Sequence, residues 1–369
     1  MRLVSVIVSV LILFAGYVVA GIAWIGSSFY FVHLDLSLRQ RDEAAGIQGE
    51  AWQVHGGGFY QVRKYLVAPA RMPAELTWHK WQSYSTWLSG FALFTVLYLW
   101  NAGTFLIDKS LMDWSPAVAG ASAVGFLVAF WLVYDTVCRL FGFKKNGELI
   151  VAGLMIVVVA FASWAANQLF AGRAAFLLVG AMLATTMSAN VFFWIIPGQK
   201  KVIAQMRSGE VPDRIHGQRG KQRSVHNTYF TLPVIFAMLS NHYSFLYTHE
   251  NHWVILVLMM LSGALIRQFF VQRHAYHLGR AKNPWPFAMA GVVVLIGVIV
   301  WMRPVSSVKV TTNNMTPVSY ADVKPVLIQR CYSCHGEQVQ MKNVRLDSPE
   351  GLKQHALGVY QQVVVLRQM

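Results

Sequence analysis

Apolar residues recur along this chain in runs of about 20, the length a helix needs to cross a hydrocarbon layer about 30 Å thick. Eight runs can be placed, near Val4 to Ala23, Tyr84 to Trp100, Ala117 to Cys138, Ile150 to Phe170, Ala174 to Ile196, Thr228 to Ser240, Trp253 to Phe270 and Pro286 to Trp301. The sixth is short on apolar count, so its helix must begin among the polar residues Ser224 to Asn227. The first follows Met1-Arg2 as a secretory signal would, yet it runs into GIAWIGSSFYFVHLDLSL with no polar break and no convincing small-residue cleavage site. The pattern therefore predicts an anchored first helix that continues beyond the membrane. It predicts an all-α fold: an eight-helix transmembrane bundle over residues 1–303, a linker over 304–314 and a small C-terminal domain over 315–369.

Composition agrees with this reading, at 55% hydrophobic and 13% charged residues. The formal charge of +15 would by itself suggest a nucleic-acid partner. Its distribution points to a lipid bilayer instead, with no nucleic acid. Nineteen Lys and Arg lie in the loops after the first, third, fifth and seventh runs, against two in the loops after the second, fourth and sixth. Basic loops stay in the cytoplasm. Both termini are then periplasmic, as in a multi-pass protein of a bacterial inner membrane.

The C-terminal domain carries RCYSCHGE, in which Cys331, Cys334 and His335 form C-x-x-C-H, the attachment pattern of haem c. Each thiol adds to one vinyl group of the porphyrin, and His335 is carried under the ring to ligate the iron. A zinc site would need further ligands at suitable spacing, and only His355 follows. A redox dithiol does not explain the adjoining histidine. For the opposite axial position Met369 is at a suitable distance along the chain, whereas Met341 is too near the attachment site. A c-type domain closes with a further helix, and nothing follows Met369, so this domain reads as short of its last helix. Haem attachment occurs outside the cytoplasm, where the loop charges independently place this tail.

Three polar groups in the bundle invite chemistry. His226, Asn227 and Tyr229 stand at the inner end of the sixth helix behind Arg219, Lys221 and Arg223, and a helix starting near Ser224 puts His226 and Tyr229 on one face. The residues alone leave two readings open: polar groups facing a cavity, or an interfacial helix start with an anchoring tyrosine and a basic loop. His55 adjoins Gly56 to Gly58, which could let a ligand approach the main chain or form a plain turn. His242, His249 and His252 share an outer loop as candidate ligands for a further haem or metal, or as helix caps. Cys138 reads as a small buried residue. Asp135 and Arg267 read as partners of loop charges.

The segments WIGSSFYFVHLD, VHGGGFYQVRKYLVAP, WHKWQSYSTWLSGFAL and GQRGKQRSVHNTYFTLPVIFAMLSNHY together resemble the membrane-bound urate hydroxylases, or cytochrome c urate oxidases, from about Trp24 to the haem motif. That resemblance implies an eight-helix membrane domain fused to a cytochrome c and oxidation of urate to 5-hydroxyisourate. It implies a planar purine anion as substrate, held by aromatic faces and directional amide or guanidinium contacts. His226 would be the base, Asn227 a purine-edge partner, Tyr229 an aromatic or hydroxyl donor, and His55 would complete the site. Electrons would pass to haem c and then to an external acceptor, a cytochrome or terminal oxidase. The alternative is a non-catalytic respiratory subunit relaying electrons from quinol, which needs paired membrane histidines and no purine pocket.

Overall fold

The computed structural model describes residues 2–39, 46–65, 69, 71–109, 111–247, 249–302, 318–337 and 344–365. Long helices stand at every expected run: α1 (Arg2–Ser37), α2 (Trp81–Phe94, continued by a π-turn over Thr95–Leu99), α3 (Pro116–Phe141) and α4 (Gly147–Leu169). They continue with α5 (Gly172–Ala189, a π-segment over Asn190–Ile195, then Ile196–Arg207), α6 (Arg214–Leu239), α7 (His252–His277) and α8 (Trp285–Trp301). Helices α1, α3, α4, α5 and α7 are long and apolar enough to cross a membrane, and α8 is a shorter apolar helix.

Helix α5 is the axis of the bundle. Ala175, Phe176, Leu178, Val179 and Met182 are fully buried on it, enclosed by α3, α4, α6 and α2. Where lipid replaces water, helices associate through close backbone approach at small residues. Gly180 meets Ala237 of α6 so closely that a Cβ there would lie 3.0 Å from the alanine methyl. Between α7 and α8, Ser262 donates to the Gly291 carbonyl at 2.8 Å. Helix α1 packs mainly on α2 and leaves a wide apolar groove beside Val19, Ala20, Trp78 and Trp81, with nothing in its lining suited to chemistry.

Two expectations change. The α1 extension carries an antiparallel hairpin of β1 (Ile47–His55) and β2 (Gly58–Tyr65), so the fold is helical with one small sheet. Its polar and apolar residues alternate, which a search for long apolar runs passes over. Gly56 and Gly57 have φ of 58° and 81°, the doubly left-handed two-residue turn that suits a hairpin's twist. The three glycines are thus a turn, and His55 is exposed at its tip. Second, α6 begins at Arg214 rather than near Ser224, because the Asp213 side chain accepts from the Ile215 N–H at 2.9 Å and caps the helix there. Arg219, Lys221 and Arg223 are therefore helical, and can reach neighbouring helices. The turn between α3 and α4 is tight: Asn146 is left-handed, and a Cβ on Gly147 would collide with the carbonyl oxygens of Phe141 and Gly142. Gly147→Ala should destabilise the protein by about 1–3 kcal/mol and displace Glu148, measurable as a lower melting temperature.

In the C-terminal segment, α9 (Tyr320–Arg330) opens with a capping box of Ser319 and Asp322. A helical turn over Tyr332–His335 follows, then α10 (Pro349–Val359). Met341, Met369 and the linker lie outside the described residues.

Candidate functional site

The C-terminal end of α3, the start of α4, the π-segment of α5 and the middle of α6 meet at one polar cluster. His226 of α6 lies 2.8 Å through Nδ1 from the Tyr134 hydroxyl of α3, and 3.0 Å through Nε2 from Glu148 Oε2 at the start of α4. The Asn190 amide of α5 donates to Tyr134 Oη at 3.1 Å and to Asn227 Oδ1 at 2.9 Å, while Asn227 donates to the Met187 carbonyl at 3.0 Å. Donor directions run one way along this chain. The Glu148 carboxylate can only accept, so His226 Nε2–H donates to it, and in the neutral imidazole Nδ1 then accepts the Tyr134 proton. Tyr134 and Asn190 are fully buried, the His226 side chain is 13% exposed and that of Glu148 is 60% exposed. The chain thus runs from the core to the surface. Gln222 donates to the other carboxylate oxygen of Glu148 at 2.7 Å and holds it in place.

A second network braces the first. Asp135 accepts from Arg223 at 2.8 Å, from Arg139 at 2.7 Å and from Trp194 Nε1 at 2.7 Å. The Arg223 guanidinium lies 4.9 Å from the centroid of Tyr134 and 5.1 Å from that of Trp194, within cation–π range of both. Asn190 and Trp194 both lie in the π-segment of α5 and face α3 and α6; π-bulges are frequent at functional sites.

The sequence-derived residues part company here. His226 and Asn227 join one cluster, facing α3/α4 and α5 respectively. Tyr229 is directed to α7, where its hydroxyl donates to Gln268 Oε1. It still lies within electrostatic reach of Glu148 and of Arg267. His55 is at the hairpin tip, exposed and paired with Gly58, and the described residues of the cluster make no hydrogen bond to it. Asp135 pairs with Arg139 and Arg223, two of the charges assigned to the basic loops from sequence and both helical here, and it is the buried anchor of Arg223. Cys138 is buried as expected, and its Sγ lies 3.8 Å from His226 Nδ1. Sequence reasoning passed over Tyr134, Glu148 and Asn190. The available signal was an acidic residue in the first turn of an otherwise apolar helix.

Among the described residues no three His, Cys, Asp or Glu side chains gather as a metal site. His252 Nδ1 and the His249 carbonyl are 2.7 Å apart, the His249 ring meets Trp301 edge-on, and His242 is exposed. These are the contacts of a helix start.

The residues of the C-terminal motif fit a haem c. The His335 and Cys334 amides both donate to the Cys331 carbonyl, at 2.8 and 3.1 Å, so the motif forms one helical turn. His335 is buried, and its Nδ1 lies 3.2 Å from the Val344 carbonyl. That bond places the proton on Nδ1 and leaves Nε2 free to ligate a haem iron, should one be bound. Burial, aided by the neighbouring Cys334, pushes the Cys331 thiol up from its ordinary pKa. A reactive dithiol would need the opposite shift.

No curated protein and no solved structure matches the chain. A family model does, over residues 5–303, which takes in the whole helical bundle with the cluster around His226 and leaves the C-x-x-C-H segment outside. With most of its length matched, the chain belongs to the urate oxidase N-terminal family.

Proposed function

We propose that this protein oxidises urate to 5-hydroxyisourate from within a bacterial inner membrane, passing electrons singly to a haem c held by Cys331, Cys334 and His335. The observation that carries the reading is the relay Tyr134–His226–Glu148 at the inner mouth of the bundle, in a chain of this family. Urate and one water become 5-hydroxyisourate with release of two protons and two electrons. A base must therefore accept protons while a one-electron acceptor turns over twice. Glu148 is the exposed end of the relay and receives the proton of the attacking water or of the purine ring. His226 donates Nε2–H to that carboxylate and accepts from Tyr134, so the three groups can share the added proton along one hydrogen-bonded chain. Tyr134 and Asn190 fix the imidazole tautomer from behind.

All eight long helices span the bilayer in this reading. Helix α3, with 26 residues, is about 39 Å long at 1.5 Å per residue, enough to cross with its polar inner turn at the cytoplasmic surface. The basic loops are cytoplasmic and the haem segment periplasmic. A haem bound there supplies one-electron oxidation, and a periplasmic cytochrome or terminal oxidase serves as the external acceptor.

Urate added to membranes carrying the protein, made in cells with intact haem-ligation machinery, should bring up the reduced c-type absorption band. Cys331→Ala with Cys334→Ala should remove both band and response. A band that quinol raises and urate leaves unchanged would replace this reading with that of an electron-relay subunit.

A further inference from the structure

Helix α7 carries a side chain that the relay does not use. Arg267 is 6% exposed, and no carboxylate pairs with it among the described residues. Its Nε and Nη2 have no hydrogen-bond partner there either. These two nitrogens form one edge of the guanidinium, the edge that grips two adjacent acceptor atoms bidentately. The flat face of the same group lies 4.4 Å from the centroid of the Phe29 ring on α1. Beside it on α7, Gln268 accepts the hydroxyl of Tyr229, and Tyr229 is within electrostatic reach of both Arg267 and Glu148. Tyr229 is thus an electrostatic neighbour of both the unfilled donor edge and the exposed end of the relay.

A buried charge with an unfilled bidentate edge is unfavourable in a resting protein, because its donors have lost water and gained nothing. Retention of such a group points to a ligand. Its shape is specified by the surroundings: an anion with two acceptors side by side, flat enough to lie along an aromatic ring. A urate anion presents a carbonyl oxygen beside a deprotonated ring nitrogen. Helix α1, which holds Phe29, packs chiefly on α2 and touches α6 and α7 at few places.

We infer that Arg267 is the anion-receiving residue of the substrate site, gripping the deprotonated edge of urate between Phe29 and Tyr229 so that its reacting edge faces Glu148. This rests on the functional reading above. The test is the melting temperature of the purified full-length haem protein in detergent, with and without urate and with no electron acceptor present. Urate at ~100 times its Kd should raise the melting temperature of the parent by about 5 °C. Arg267→Met should melt no lower than the parent without urate, since an apolar chain removes an unsatisfied buried charge, and should lose the urate shift. Arg267→Lys keeps the charge without the fork and should bind urate at least about tenfold more weakly. Retention of the full shift in Arg267→Met, or in Arg267→Lys should the former not fold, overturns the assignment of Arg267 while the functional reading stands. A parent that reduces its haem with quinol and shows no urate shift overturns both. An equal shift with inorganic phosphate overturns the planar-anion specificity.

Discussion

Substituting His226→Gln is expected to lower the rate of urate oxidation by about 10²–10⁴-fold, the usual contribution of positioned acid–base chemistry, in which His226 backs the accepting Glu148 carboxylate. Glutamine is the informative replacement because its amide can still meet Tyr134 or Glu148, so what is lost is a ring that accepts a proton at one nitrogen while donating from the other. His226 bridges a fully buried phenol and a largely exposed carboxylate, and no other described group links the two. Glu148→Gln should fall in the same range, since the relay then ends on a neutral amide that cannot accept the proton. The measurement is the initial rate of urate loss in membranes, with haem content and helical circular dichroism as controls. Rates within threefold of the parent for His226→Gln at equal haem content would remove this residue from the chemistry.

Asp135→Ala should be the most damaging single change to stability, at about 3–5 kcal/mol. Asp135 neutralises Arg223, whose side chain is only 3% exposed, and also receives the Trp194 indole and Arg139. Removing the carboxylate leaves a buried cation against two aromatic faces with no counter-charge. Adding Arg223→Met should recover most of the loss, because an apolar side chain of similar length fills the space without a charge to satisfy. The cycle is read from melting temperatures of the two single variants and the double one. Additive losses in the double variant would mean that the pair is not the source of the stability.

Much of the bundle was legible from the chain alone, for a physical reason. In a bilayer each helix satisfies its own backbone and must be apolar over its length, so helix positions are written locally. The first helix, the long fifth and the short eighth all stand within a few residues of their apolar runs, apart from polar extensions. Those extensions were misjudged where apolarity was the guide. Helix α6 starts at a capping aspartate that hydropathy cannot see, and the hairpin alternates too quickly to register as a run. The site was half legible. His226 and Asn227 stood out as polar groups at an apolar helix's edge, but Tyr134 resembles any interfacial tyrosine and Asp135 any snorkelling charge until α6 is seen packed beside α3.

The sequence by itself determined the helical, membrane-compatible character of this protein, the asymmetry of its basic loops and the C-x-x-C-H turn, because each depends on neighbours within a few residues. Only the tertiary structure decided that Tyr134, Glu148, Asn190 and His226 form one relay, that Asp135 holds Arg223, and that Tyr229 turns instead toward Gln268 beside Arg267. These contacts join residues as many as 92 positions apart. They follow from which helix face meets which, and that is set by small-residue packing around α5, a property of the whole bundle that no local pattern encodes.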